Sequence, residues 1–385
     1  MDKKRIDVTR PSMPPFEEYV NEIKSIWERK WLTNFGAIHN ELAEKLEGFL
    51  DVPNISLFTN GHQAIYSALC LLGKPGGEVI TTPFTFASTT HAIAQAGMTP
   101  VFCDVDPVTY TLDPSKIEAL ITEKTVAILP VHVYGNVCDT EAISAVAKKY
   151  GLPVIYDAAH AFGVKKNGKG IGNFGDVSLY SFHATKAYNS IEGGAAAYGD
   201  KELSAGFKRF INFGLVDGEN VENTGTNAKM NEFSAAMGLC NLRHIGEVLE
   251  GRKRVCTIYK KILFECDPLF DEKTGVEPSL GIKMLPLQDN VESNYAYFPV
   301  LFGINENCKV TRDQVKDMLA TENIHARRYF YPLTSEFDCY RGAKGAGETP
   351  VAESISRKVL SLPLYAELAS EDAVMIAELI KAFLK

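Results

Sequence analysis

A lysine, an acid, a glycine turn and an aromatic ring, set in four separate stretches, are the residues most able to do chemistry together. Lys186 stands in "SLYSFHATKAYNSIEGGAAAYG" (178–199), between two apolar runs that read as strands. A turn lysine is ordinarily just solvated, but one held between two strands beside a ligand is placed to attach it and, once released, to shuttle protons. Asp157 ends the apolar run "VIYD", where a carboxylate needs a cationic or hydrogen-bonding partner, and His160 follows in "DAAHAFG". "LFTNGHQAIYSAL" has the order strand, Asn60-Gly61, helix. Free N–H groups at a helix start hold phosphate, and glycine lets its oxygens approach the backbone. His62 supplies the next N–H, and Ser181, five residues before Lys186, can add a hydroxyl. Phe86, beyond the strand "EVITT", can stack on a planar ring.

Each feature alone is ordinary: a βα turn, a core aromatic, an acid capping a turn. Together they match the needs of pyridoxal 5'-phosphate. That cofactor takes a lysine for attachment, a carboxylate for its pyridine nitrogen, a phosphate cup and a stacking ring. "GIGNFG" (170–175) fits a dinucleotide fingerprint literally, yet a lysine-glycine turn precedes it and the strand "DVSLYSF" follows. A dinucleotide site needs the reverse, strand before and helix after, so these glycines read as a tight turn.

The elements that must position these residues alternate. ISLF (55–58), EVITT (78–82), TPVFCDV (99–105), VAILPVHV (126–133) and PVIYD (153–157) are short apolar strands separated by amphipathic helical segments. This is the signature of an α/β fold with a mostly parallel sheet covered by helices on both faces. Asp113-Pro114 and Asp139-Thr140 read as helix starts and Gly151 as a helix stop. Residues 201–264 read as mainly helical, "AYFPVLF" (296–302) restarts β structure, and a helix is expected near 311–321. The expected organisation is an N-terminal segment (1–40) docked on the core, a large cofactor-binding domain (41–264) and a smaller C-terminal α+β domain (265–385).

The 385 residues carry a formal charge of −8, with 45% hydrophobic and 23% charged residues. An acidic chain without a basic stripe is not built for nucleic acid, and no stretch is apolar enough to span a membrane. The eight cysteines form no CxxC pair and no cluster with histidine, so no metal site is expected. Several sit in apolar runs such as "SALCLL", which points to free thiols in a reducing, cytoplasmic setting.

"YDAAHAFG", "GDVSLYSFHATK" and "EGGA", with "WLTNFG", "TGTNAKMNEFSAAMG" and "RRYFYPL", closely resemble the DegT/DnrJ/EryC1/StrS sugar-nucleotide aminotransferases over nearly the whole chain. The resemblance implies the aspartate aminotransferase (type I) fold. It makes Lys186 the cofactor-attaching lysine, Asp157 the partner of the pyridine nitrogen and His160 a neighbour of the phenolic oxygen. Phe86 becomes the stacking ring, and Gly61, His62 and Ser181 the phosphate cup. Asn227 matches an asparagine that reaches the phosphate from the neighbouring subunit, which implies a homodimer with shared sites. Members often carry threonine where this chain has His62; backbone binding survives that exchange, a hydroxyl contact does not. The implied reaction moves an amino group from L-glutamate to C4 of a nucleotide-linked 4-keto-6-deoxy sugar, with C3 amination the alternative. Lys229, Arg327, Arg328, Tyr329 and Tyr331 are candidates for the sugar diphosphate, and Trp31 and Asn34 for the pocket mouth. A dehydratase of the same family has histidine at the lysine position, which Lys186 argues against. A non-catalytic scaffold would not need Asp157, His160, Lys186 and Asn227 together.

Overall fold

A computed structural model describes residues 3–265 and 267–385. Cys266 lies outside the described residues, and the other cysteines are free thiols. Two N-terminal helices, α1 (Phe16–Arg29) and α2 (Ala37–Leu50), precede the alternating part of the chain. That part runs β1 (Ile55–Phe58), α3 (Gly61–Leu72), β2 (Glu78–Thr81), α4 (Ala87–Gln95), β3 (Thr99–Phe102), β4 (Thr125–Leu129), α5 (Thr140–Tyr150) and β5 (Ile155–Asp157). It continues through β6 (Val177–Ser181), β7 (Gly194–Tyr198), α6 (Glu202–Phe210), α7 (Glu232–Arg243) and the long α8 (Ile245–Leu263).

Strands β3, β2 and β4 pair in parallel, and β5 pairs in parallel with β6. Parallel bridges Ile128–Val154 and Val131–Asp157 join the two groups, giving the order β3-β2-β4-β5-β6-β7-β1. Only β7 runs against its neighbours. The sheet is apolar on both faces, as a sheet sandwiched between helices must be: Val79, Ile80, Ala127, Ile128, Leu129 and Ile155 are fully buried. Ligands in such sheets sit at the carboxyl ends of the parallel strands, where Asp157 and Ser181 end β5 and β6.

Asp139 caps α5 by accepting from Ala142 N–H (3.0 Å), and Gly151 ends that helix in the left-handed region (φ 64°). The stretch "DPSKIEALI" differs from its helical expectation, forming two 3₁₀ turns, Pro114–Lys116 and Glu118–Leu120. Asp113 does cap it, accepting from Ser115 N–H, but the segment is too short to repay the nucleation cost of an α-helix.

Beyond α8, β8 (Ile282–Met284), β9 (Pro299–Phe302) and β10 (Val359–Ser361) form an antiparallel sheet flanked by α9 (Arg312–Thr321), α10 (Pro350–Lys358) and α11 (Ser370–Leu384). Thr311 and Gln314 start α9 with a capping box. Helix α8 joins two cores. Ile245 packs with α2, α7 and β7, whereas Val255, Tyr259 and Leu263 pack with β8, β9 and α11. The N-terminal segment docks on both: Ile26 of α1 is buried in the first core, and Ile6-Asp7 pairs in parallel with Ile324-His325 of the second.

Candidate active site

The carboxyl ends of β5 and β6, the start of α3 and the segment 329–330 enclose a cavity of about 320 Å³. Lys186, Asp157, His160, Phe86, Gly61 and Ser181 all line it, so six residues separated by up to 125 positions meet in one space.

The anion end is built from backbone. Asn60 caps α3 by accepting from Gln63 N–H (2.9 Å), which leaves the N–H groups of Gly61 and His62 without partners among the described residues. A side chain on Gly61 would place its Cβ 2.9 Å from Ser181 Cβ, and one on Gly194 would lie 2.6 Å from the Asn60 carbonyl. Both glycines are therefore required for β6, β7 and the helix start to close into a cradle. The His62 ring turns aside: its nitrogens bond Ser88 Oγ (2.9 Å) and Gln95 Oε1 (2.8 Å) of α4. The imidazole is thus committed to packing between α3 and α4.

Asp157 is 4% exposed and has no cation within ion-pair distance among the described residues. Its Oδ2 accepts from Thr89 Oγ (2.7 Å) and its Oδ1 from Ala159 N–H (3.0 Å). Burial raises its pKa, opposed by those two hydrogen bonds and the charge of Lys186. His160 Nδ1 accepts from Tyr134 N–H (3.1 Å), which places the imidazole proton on Nε2. Burial, reinforced by the Lys186 charge, pushes the His160 pKa well below 6.5, so the ring is neutral. It lies parallel to Phe330 with centroids 5.7 Å apart. Lys186 follows β6 in the turn toward β7, and its amine has no hydrogen-bond or ion-pair partner among the described residues. Burial draws its pKa down to about 8, against the opposing charges of Asp157 and Tyr329. Phe86 is the N-cap residue of α4 and leaves its ring 60% exposed beside the cavity.

Tyr329 shares this cavity, and a second groove of about 300 Å³ meets it along Thr85, Phe86, Tyr329 and Phe330. Arg327, Arg328, Tyr331 and Lys316 line that groove. Arg328 is braced by Asp313 (3.4 Å) and packs over Tyr331, as does Arg312. Four further candidates do not line the cavity of their own chain. Asn227 is exposed and accepts from Lys229 Nζ (2.8 Å), while Lys229 is buried over the Phe213 ring. Trp31 and Asn34 are exposed in the loop between α1 and α2.

Several contributors were not picked out from the sequence. Thr89 was visible in "FASTTHAI" only as one of three hydroxyls on an amphipathic helix. Tyr134 adopts a left-handed backbone (φ 59°), which aims its N–H at His160, and its hydroxyl bonds the Tyr329 carbonyl. A tyrosine pays a steric cost there that no local motif announces.

A seven-stranded sheet with a lysine of lowered pKa, a buried acid lacking a counter-cation among the described residues, and a glycine-lined helix start at one cavity defines a pyridoxal-phosphate-dependent transferase. The residues fit that cofactor: Lys186 and Asp157 each lack a partner that it would provide. The chain belongs to the DegT/DnrJ/EryC1/StrS aminotransferase family, which it matches over residues 16–381. It is 42% identical to a dTDP-4-amino-4,6-dideoxy-D-glucose transaminase of Escherichia coli, covering 99% of each chain. It is 41% identical to the enzyme of that name from Shigella dysenteriae, covering 96% of each. A crystal structure of DesI in the presence of its TDP-sugar product superposes with a TM-score of 0.90 at 32% identity, covering 100% of this chain and 94% of DesI.

Proposed function

We propose that this chain moves the amino group of L-glutamate to C4 of a dTDP-linked 4-keto-6-deoxy sugar, giving dTDP-4-amino-4,6-dideoxyglucose, as a cytoplasmic homodimer with shared sites. The observation that carries the chemistry is the unpartnered Lys186 amine facing the same cavity as the cation-free Asp157. Support for the sugar is the 41–42% identity to transaminases of that name.

When bound, pyridoxal phosphate supplies an aldehyde for amines and a protonated ring that draws electrons from the reacting carbon. Asp157, oriented by Thr89 and Ala159, would hold the proton on the ring nitrogen through a charge-assisted hydrogen bond. His160 would offer its Nε2–H to the phenolic oxygen, and Phe86 would stack on one ring face. Gly61 and His62 N–H and the Ser181 hydroxyl would hold the phosphate, and Asn227 of a second subunit would complete the cup. Lys186 would be the point of attachment for the cofactor and, as a free amine, would carry a proton between the donor's α-carbon and C4′. Arg327, Arg328 and Tyr331 face the sugar diphosphate, which guanidinium groups bind through paired hydrogen bonds. Tyr329 flanks the reacting centre, and Lys229, Trp31 and Asn34 belong to the mouth of the site across the subunit boundary.

A lysine pKa of about 8 has a kinetic signature. At pH 7 roughly one amine in ten is neutral, against roughly one in 2,500 for an unperturbed lysine. The rate at which apoenzyme attaches the cofactor is expected to rise about tenfold per pH unit and level off above pH 8. Stopped-flow absorbance checks this; a rate still climbing at pH 10 would contradict a shifted Lys186.

The decisive experiment for the assignment supplies glutamate and a panel of dTDP-, UDP- and GDP-linked 3-keto and 4-keto sugars, with the aminated carbon located by NMR. Amination at C4 of the dTDP-linked 4-keto-6-deoxy sugar is expected. Preference for C3, or for another nucleotide, overturns it.

A further inference from the structure

The carboxylates lining the cavity are Asp157 and Glu192. Asp157 is committed on both oxygens, but Glu192 is used by nothing in the chemistry above. Its side chain is 57% exposed; Oε1 lies 3.5 Å from His183 Nε2, and Oε2 has no partner among the described residues. His183 is itself fixed by Thr185 Oγ, 2.8 Å from its Nδ1.

The turn that presents Glu192 is unusually constrained. The preceding residue, Ile191, has φ 68°, a left-handed conformation that is strained for a β-branched side chain. The following pair, Gly193 and Gly194, admits no Cβ: one would fall 2.1 Å from Ser190 Oγ and the other 2.6 Å from the Asn60 carbonyl. Buried Asn189 holds the strained residue, accepting from Ile191 N–H (3.2 Å), and is anchored by Asn241 Nδ2 (2.9 Å) and by its own bond to the Ser12 carbonyl (3.0 Å). Ser190 Oγ donates to the Glu192 carbonyl (3.1 Å). A plain hairpin turn needs none of this, and strain of this kind persists where the surroundings fix one conformation for use.

Three molecules visit this cavity under the aminotransferase assignment, on which this inference rests. The cofactor phosphate is anionic, and L-glutamate brings two carboxylates, so a carboxylate repels both. The third visitor is anionic at its diphosphate, but its hexose ring is uncharged and carries hydroxyl groups that can donate to a free carboxylate oxygen. We propose that Glu192, steadied by His183, is the specificity residue for the acceptor sugar, accepting a hydrogen bond from the ring hydroxyl next to the carbon being aminated.

The test uses cofactor-loaded wild type, Glu192→Gln and Glu192→Ala, with the two half-reactions followed separately by absorbance. With dTDP-4-keto-6-deoxyglucose the acceptor half-reaction of both variants is expected to lose about ten- to hundredfold in kcat/KM, since a hydroxyl loses a charged acceptor. The glutamate half-reaction should hold its rate or show a lower KM, because a repulsive charge is gone. An acceptor lacking the C3 hydroxyl should be penalised by the wild type and treated alike by the variants. Equal losses in both half-reactions, an unchanged acceptor half-reaction, or the same penalty for the deoxy sugar in all three proteins overturns the role. Failure of the wild type to complete the glutamate half-reaction strikes the aminotransferase assignment itself. Wild-type turnover with indifferent Glu192 variants strikes only this inference.

Discussion

Lys186→Ala is expected to lower kcat by at least about ten-thousandfold while leaving the apoenzyme folded, because under the proposed mechanism it removes both the attachment point and the proton carrier. The amine makes no bond that holds the fold together, and its pKa near 8 records a cost of keeping it charged in the protein. The sign follows from linkage. The folded lysine binds its proton less tightly than an unfolded one at 10.5, so unfolding takes up a proton between about pH 8 and 10.5. Wild-type apoenzyme should therefore gain stability as pH rises through that window, and Lys186→Ala should lose that gain. At pH 7 the variant should melt no earlier than the wild type, and it should lack the visible absorption of lysine-attached cofactor. Full turnover in this variant would overturn the mechanism.

The same variant tests the shared site. On the proposed sharing, each Lys186→Ala chain mixed with Asn227→Ala would still lend Asn227 to its partner, so a heterodimer would keep one complete site and one doubly defective one. Random reassociation makes half the dimers mixed, and about a quarter of wild-type activity should return at limiting cofactor. A mixture no better than the sum of its parents would show that each chain builds its site alone.

What was legible in the sequence shares one physical origin. β5 stops at a charged residue after buried Ile155 and Tyr156, and Lys186 is bracketed by β6 and β7, so burial, strand ends and charge all coincide in short windows. The capped, glycine-opened helix start was legible at Gly61 for the same reason, since cap, glycine and helix start are adjacent. Gly194 was not, because its need appears only when β7 lies against the Asn60 carbonyl. Thr89, Tyr134 and Phe330 act through contacts spanning 68, 26 and 170 positions, and no periodicity reports a partner so distant. The His62 exchange illustrates the limit from the other side. The sequence showed that a hydroxyl was missing, but the answer, a ring tied to Ser88 and Gln95, depends on how α3 packs against α4.

Asp157→Asn should produce the second largest loss, about a hundred- to a thousandfold in kcat, the usual penalty for removing one preorganised electrostatic contact. The substitution isolates charge from shape. Asn can point Oδ1 at Ala159 N–H and donate Nδ2–H to Thr89 Oγ, whose own proton can turn to Thr85 Oγ, 2.8 Å away. Every hydrogen bond around the side chain is then satisfied, and only the negative charge is lost. Since burial raises the pKa of Asp157, the ionised carboxylate is a burden on the apoenzyme at pH 7 that fades as pH falls and the group protonates. The variant apoenzyme should therefore be at least as stable as wild type at neutral pH, with the difference shrinking in acid. Cofactor binding should weaken, because the ring nitrogen loses its counter-charge, while attachment to Lys186 still proceeds. Activity should return in part with a cofactor analogue carrying a permanent positive charge at that nitrogen, such as the N-methyl form. A variant that unfolds, or one that the charged analogue leaves as inactive as before, would mean that Asp157 acts as a structural acid rather than as the keeper of the ring proton.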